Sequence, residues 1–194
     1  MTGRAGPAKL VLASASPRRR DLLEQIGATP DIISPCDINE DERPGELPGP
    51  LALRLAREKL SAAIHPDCFV LASDTVVAVG RRVLPKAESR EQAKDCLQLM
   101  SGRNHRVYTA IAARAPDGRE VDRLVETRIA FKRLSTDELE AYLDSEEWSG
   151  KAGGYGIQGR AGAFIENLIG SYTGVVGLPV YETRQLLIGL GYRF

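Results

Sequence analysis

Three arginines, Arg18, Arg19 and Arg20, stand at the start of a helical pattern. Ser16 has the residue type of an N-cap and Pro17 that of a first helical residue, so the arginines fall in the first turn. That is the positive end of the helix dipole, where each cation costs about 0.3–1 kcal/mol. An anion at the helix start turns the cost into a gain. Backbone N–H groups, the Ser14 and Ser16 hydroxyls and the arginine forks would then converge on it. The alternative is an exposed basic turn. A second group is Ser73-Asp74-Thr75, three oxygen-bearing side chains inside an otherwise apolar run from Phe69 to Val79. A carboxylate in such a strand is almost never left unpaired. Either backbone donors satisfy Asp74, or it is a metal ligand or general base, and the clustering favours the second. Lys59 falls within the apolar stripe Ala52, Leu55, Ala56 and Ala63 of a helix over 50–64. Snorkelling along its stem is the commoner fate of such a lysine. The other reading aims it across a cleft at a charged ligand.

Two less specific segments complete the set. The stretch from Pro35 to Pro50 has four prolines, two glycines and many acids, so it reads as a loop. Glu40, Asp41 and Glu42 there can supply oxygens to a hard cation, or simply be solvated. Residues 150–162 hold six glycines in thirteen positions, which allows backbone to approach a partner closely. The segment has neither Walker nor dinucleotide spacing and could equally be a lid or a connector.

The elements that must position these groups follow from periodicity. Leu10 to Ala13 reads as a buried strand, with a helix behind it carrying Leu22, Leu23 and Ile26 and stopping at Gly27. Asp31 to Ser34 is a short strand, and Phe69 to Val79 a long one. Ser89 to Met100 is an amphipathic helix burying Ala93, Cys96, Leu97 and Met100, with Ser89 and Gln92 as a capping box. Strands over 105–115 and 120–133 flank the turn Pro116-Asp117-Gly118. In the second strand Val125, Thr127, Ile129 and Phe131 share one face. His105 reads as a surface histidine. Ser135 to Ser145 is a helix with a Ser135/Glu138 capping box, Phe164 to Ile169 a strand, and Leu178-Pro179 opens a last helix. Its inward residues are Val180, Thr183, Leu187 and Leu190. Alternating strands and helices, then a hairpin, imply an α/β fold: an elongated mixed sheet flanked by helices, with two lobes around a central cleft.

Composition bounds the function. At 194 residues, the chain is expected to form one domain over 1–194, and it can bury a sizeable core. Lys plus Arg and Asp plus Glu number 26 each, which argues against a general nucleic-acid or membrane binder. Cys36, Cys68 and Cys96 are odd in number and lack metal spacing, so a reduced, cytoplasmic protein is expected. Six residues separate Cys36 from Arg43, where a thiol phosphatase needs five. The first eight residues carry Arg4 and no apolar stretch, and no signal peptide is expected. No apolar run is long enough to span a bilayer.

Six motifs in order resemble the Maf family, nucleoside triphosphate pyrophosphatases of the inosine-triphosphatase-like fold. They are Ser14-Ala-Ser-Pro-Arg-Arg19, Arg54-Leu-Ala-Arg-Glu-Lys59, Ser73-Asp-Thr75, Ser101-Gly102 with His105, Thr109 and Ala110, Lys151 to Gly159, and Val176-Gly-Leu-Pro179. The resemblance runs from about Leu10 to about Leu187. It implies that Asp74 is catalytic base and metal-linked carboxylate, with Glu40 near the metal. It implies that Ser14, Arg19, Lys59 and Lys86 hold the substrate phosphates. Arg18, Thr75 and Gln158 match the positions that distinguish the dTTP/UTP subgroup. The implied reaction is metal-dependent hydrolysis of dTTP and UTP, modified pyrimidine nucleotides included, to monophosphate and pyrophosphate. The implied cofactor is Mg²⁺ or Mn²⁺, and the implied assembly a homodimer without stable nucleic acid or membrane partners. The alternatives are the same chemistry on 7-methyl-GTP and a non-catalytic regulator of cell division. Two departures stand out. Pro85-Lys86-Ala87 replaces the usual Lys-Pro order, and Asn39 replaces an acid before Glu40.

Overall fold

The computed structural model describes residues 8–194. The reading of the N-terminus as lacking a leader rests mainly on residues 1–7, outside the described residues. Seven strands form one mixed sheet: β1 Leu10–Leu12, β2 Ile32–Ile33, β3 Phe69–Val79, β4 Arg82–Leu84, β5 Asn104–Arg114, β6 Glu120–Phe131 and β7 Ile165–Ile169. The order is β2-β1-β3-β5-β6-β7, and β4 pairs with β3. The strands β2, β1 and β3 run parallel, while β4, β5, β6 and β7 pair antiparallel. Among the described residues six α-helices flank the sheet: α1 Pro17–Gln25, α2 Pro48–Ala62, α3 Arg90–Met100, α4 Thr136–Asp144, α5 Tyr172–Val176 and α6 Val180–Leu190.

The long strand β3 organises the core because its side chains alternate between faces. Val70, Ala72 and Val76 pack with Leu51, Ala52, Leu55 and Ala56 of α2. Phe69 and Leu71 pack on the other face with Leu22 and Leu23 of α1 and Leu187 of α6. Val77 joins a third cluster with Ala93 and Leu97 of α3 and Leu143 of α4.

Several expectations need correction. Helix α2 starts two residues before Pro50, because the first-turn amides have no intrahelical partner and prolines fit there. Ser16 occupies the N-cap of α1, but its side chain caps nothing. The Ser14 hydroxyl accepts from the Ser16 amide instead, at 3.2 Å. Ser89 caps α3 through the Gln92 amide, but Gln92 reaches back to the Glu88 amide, one residue short of a closed box. The Ser135/Glu138 box closes in both directions. Helix α5 was not expected; Ser171 starts it by accepting from the Gly174 amide at 2.9 Å. His105 is buried, not on the surface: its Nε2 lies 2.8 Å from the Tyr155 hydroxyl, and Phe131 packs edge-on against its ring. Burial holds its pKa down to about 4. Since neither neighbour lies close to it in sequence, no local pattern marks it as buried.

Candidate active site

The sheet has a gap where the polar groups collect. β1 pairs with β3 only through Phe69–Leu71, and β4 only through Val77–Val79. Between them that edge of β3 has no ladder partner among the described residues. β1 has left for α1, and β4 has not yet arrived. Ligands of open α/β sheets bind at such a divergence, beyond the carboxyl ends of the parallel strands. A cavity of about 420 Å³ opens here. Around it stand Ser14, Arg18, Arg19, Glu40, Lys59, Asp74, Thr75, Lys86 and Gln158, the nine residues to which the family resemblance gives a role; Arg20, Asp41, Glu42 and Ser73 are not among those lining it.

Alternation along β3 splits the site into two sets. Asp74 shares the α2 face with Ala72 and Val76, and there it meets Lys59. Lys59 is 7% exposed and its ammonium meets two carboxylates, so it does not snorkel. It lies 2.5 Å from an Asp74 oxygen and 2.6 Å from Glu40 Oε1, bridging the two carboxylates. Lys86 holds the other oxygen of Glu40, so the displaced proline leaves this lysine aimed into the cavity. Burial alone would raise the Glu40 carboxyl, but hydrogen bonds from Lys59 and Lys86 outweigh it and hold its pKa at about 2. The loop carrying Glu40 is pinned from behind. Arg54 of α2 forks onto both Glu46 oxygens at 2.8 and 2.7 Å and donates to the Asp41 carbonyl at 2.9 Å. Asn39 accepts from the Asp41 amide at 2.8 Å, so this departure from the family pattern serves a local turn.

Ser73 and Thr75 point to the opposite face, and Arg19 reaches across from α1. Its guanidinium donates to the Gly177 carbonyl at 2.9 Å, Ser14 Oγ at 3.0 Å and Thr75 Oγ1 at 3.4 Å. All three acceptors are neutral. Desolvation lowers the Arg19 pKa, with Asp74 opposing it from a distance. Thr109 Oγ1 donates to the Gly174 carbonyl at 2.7 Å and lies 3.2 Å from Thr75 Oγ1. Ser73 Oγ donates to the Gly177 carbonyl at 3.1 Å. Gly177 ends α5 at φ +135°, a conformation that side chains rarely adopt, and this turn presents its carbonyl to Arg19 and Ser73. No oxygen accepts from the Arg18 and Arg19 amides at the start of α1 among the described residues.

The glycine-rich segment forms the remaining wall. It docks on the strand-like stretch after β4: the Ala87 amide donates to the Lys151 carbonyl at 3.1 Å, and the Gly153 amide to the Pro85 carbonyl at 2.9 Å. Gly150, Lys151, Tyr155, Gly156 and Gln158 line the cavity. Lys151 and the Gly177 carbonyl were not singled out by sequence reasoning. The lysine's signal was its place at the head of the glycine run; a backbone carbonyl gives none. Among the described residues five cationic side chains, Arg18, Arg19, Lys59, Lys86 and Lys151, face two carboxylates, Glu40 and Asp74.

Among the described residues no three His, Cys, Asp or Glu side chains gather as a metal cage. Two carboxylates sharing one cation still fit the way Mg²⁺ is commonly held, by one or two carboxylates with water and substrate phosphates completing its shell. No helix among the described residues is long and apolar enough to cross a membrane.

The chain is similar to several known proteins. A dTTP/UTP pyrophosphatase of Maricaulis maris (strain MCS10) is 65% identical over 187 residues, covering 95% of this chain and 89% of the relative. One from Caulobacter vibrioides is 62% identical over 191 residues, covering 97% and 98%. Another from Rhodospirillum rubrum is 57% identical over 194 residues, covering 99% and 91%. Among solved structures, a HAM1 protein from Coxiella burnetii is similar at 17% identity and a TM-score of 0.45, covering 66% of this chain and 74% of that chain. The family described as Maf-like protein matches residues 9–190, the span that carries the whole cavity wall, and the chain belongs to that family.

Proposed function

We propose that this chain is a nucleoside triphosphate pyrophosphatase that hydrolyses dTTP and UTP, modified pyrimidine nucleotides included, to the monophosphate and pyrophosphate. One observation carries the reading: five cations face two carboxylates in the cavity of a chain whose net charge is zero. Such a local excess calls for a polyanion. The names of the relatives support pyrimidine triphosphates as that polyanion.

The proposed reaction uses groups already in reach of one another. The triphosphate lies against the open amides of α1, with Arg19, Lys59 and Lys86 neutralising its oxygens and Ser14 beside them. Water attacks the α-phosphorus. Its oxygen forms the new P–O bond, and the bond from that phosphorus to the bridging oxygen breaks. Asp74 accepts the water's proton, and pyrophosphate leaves. Lys59 moves from carboxylates to phosphate as the substrate seats, which frees Asp74 for this task. A divalent cation, Mg²⁺ or Mn²⁺, held by Asp74 and Glu40, would supply further charge neutralisation on the phosphates. Arg18 and Gln158 contact the base, and Thr75 acts through the Arg19 guanidinium it holds. The three free cysteines suit a reducing compartment, and we place the protein in the cytoplasm.

Pyrophosphate release from dTTP, UTP, CTP, GTP and 7-methyl-GTP, with and without Mg²⁺, tests the reading. Turnover of dTTP and UTP above the others is expected. Preference for 7-methyl-GTP would overturn the base assignment, and no release from any nucleotide would overturn the enzyme assignment. Arg19→Ala is expected to raise KM or lower kcat at least ~10-fold, since a single charged hydrogen bond is worth that much. Thermal melting of the same preparation separates this loss from loosening of the Gly177 turn. Unchanged kinetics would show that Arg19 only clamps α1 to β3.

A further inference from the structure

Lys151 is the cavity cation that the proposed reaction leaves without a task. Its ammonium donates to the Glu147 carbonyl, and no carboxylate pairs with it among the described residues. Its backbone is fixed by the Gly154 amide at 2.9 Å, the Trp148 carbonyl at 3.1 Å and the Ala87 amide at 3.1 Å. Its stem crosses Gly156 closely. A Cβ at that glycine would lie 3.0 Å from Lys151 Cε and 3.4 Å from Gln158 Nε2. The lysine stem and the glutamine amide therefore flank one bare stretch of backbone on the cavity wall. Arg18 lines the same cavity as Lys151 and Gln158, and desolvation, with the field of Arg18 after it, lowers the Lys151 pKa.

We propose that Lys151 selects the base, recognising a keto oxygen of uracil or thymine and rejecting the exocyclic amine of cytosine; this rests on the nucleoside triphosphate pyrophosphatase reading above. The chemistry follows from donor and acceptor types. Lysine and arginine only donate hydrogen bonds, and glutamine both donates and accepts. Uracil and thymine present acceptor, donor, acceptor along the pairing edge: O4, N3–H and O2. Cytosine presents an N4 amine donor where they present O4. A wall of Lys151, Arg18 and Gln158 offers donors to both keto oxygens and one acceptor to N3–H. Against cytosine the ammonium would face an N–H₂ group, leaving two donors opposed and both desolvated. A side chain at Gly156 would press on the Lys151 stem and shift it, so the bare backbone leaves the stem its course.

The test is kcat/KM for UTP, dTTP and CTP with the wild type, Lys151→Gln and Lys151→Arg. Glutamine can accept from the cytosine amine, so the UTP-to-CTP ratio of Lys151→Gln should fall at least ~10-fold. Arginine keeps the donor-only character, and its ratio should stay near wild type. Lys151→Met preserves the stem over Gly156 and serves as the second variant, with the same fall expected. A wild type active on UTP whose Lys151→Gln variant loses UTP and CTP equally, or loses neither, overturns the assignment of Lys151 alone. A wild type that releases pyrophosphate from no pyrimidine nucleotide overturns the functional reading and this proposal together.

Discussion

Asp74→Asn is expected to lower turnover by about 100- to 10,000-fold while the protein stays folded, the range that general base catalysis supplies. Asparagine has the same shape, and its carbonyl can still accept from the Lys59 ammonium that now lies 2.5 Å from the carboxylate. What it loses is the charge and the ability to take a proton from water. Glu40 remains as a second partner for Lys59 at 2.6 Å, so the lysine is not left unpaired in the variant. The expected signature is a small fall in melting temperature beside a large fall in kcat, measured on one preparation. A folded variant with near wild-type pyrophosphate release would show that Asp74 only holds Lys59. Asp74→Glu separates the two roles further, because it restores the charge at an altered reach. Partial recovery of kcat in that variant supports the proposed proton transfer.

Three of the charged residues in the cavity were legible because each breaks a local rule. Asp74 interrupts an apolar strand, Lys59 interrupts an apolar stripe, and Arg19 stands at the unfavourable end of a helix dipole. Such violations need a tertiary cause, and the cavity is that cause. The elements were legible for the same reason, since β3, α3, α4 and the β5–β6 hairpin follow the periods their burial requires. What lay outside local pattern was the partner. Nothing near Lys59 in sequence says that its ammonium meets a strand fifteen residues on, so snorkelling remained the commoner reading. His105 lies fifty residues from Tyr155, and Gly177 158 residues from Arg19. The Ser16 side chain leaves the Arg18 and Arg19 amides open, while Ser14, two residues earlier, holds the Ser16 amide and also serves Arg19. Helix α5 is only five residues long, too short for periodicity to register.

Replacing Lys59 should cost more than activity. Its side chain is 9% exposed and that of Asp74 6%, so the pair is buried against the α2 face of β3. Removing one member of such a pair strands the other in a desolvated place, at about 3–5 kcal/mol. Lys59→Met is therefore expected to lower the melting temperature by on the order of 10 °C in a chain of this size. It should also abolish pyrophosphate release, because one phosphate-neutralising charge is gone and Asp74 loses its electrostatic support. The double variant Lys59→Met/Asp74→Asn strands no charge in that pair. It should melt well above Lys59→Met alone, while remaining inactive. The coupling energy from this cycle should exceed about 0.5 kcal/mol, the least expected of residues in contact. Additive melting losses would place the two side chains in independent roles and would remove the ion pair as the element that holds Asp74 ready. Lys86→Met provides the contrast, since Lys86 contacts Glu40 but is itself half exposed. Its melting temperature should stay close to wild type, as exposed pairs contribute at most about 1 kcal/mol, while its KM for the triphosphate rises.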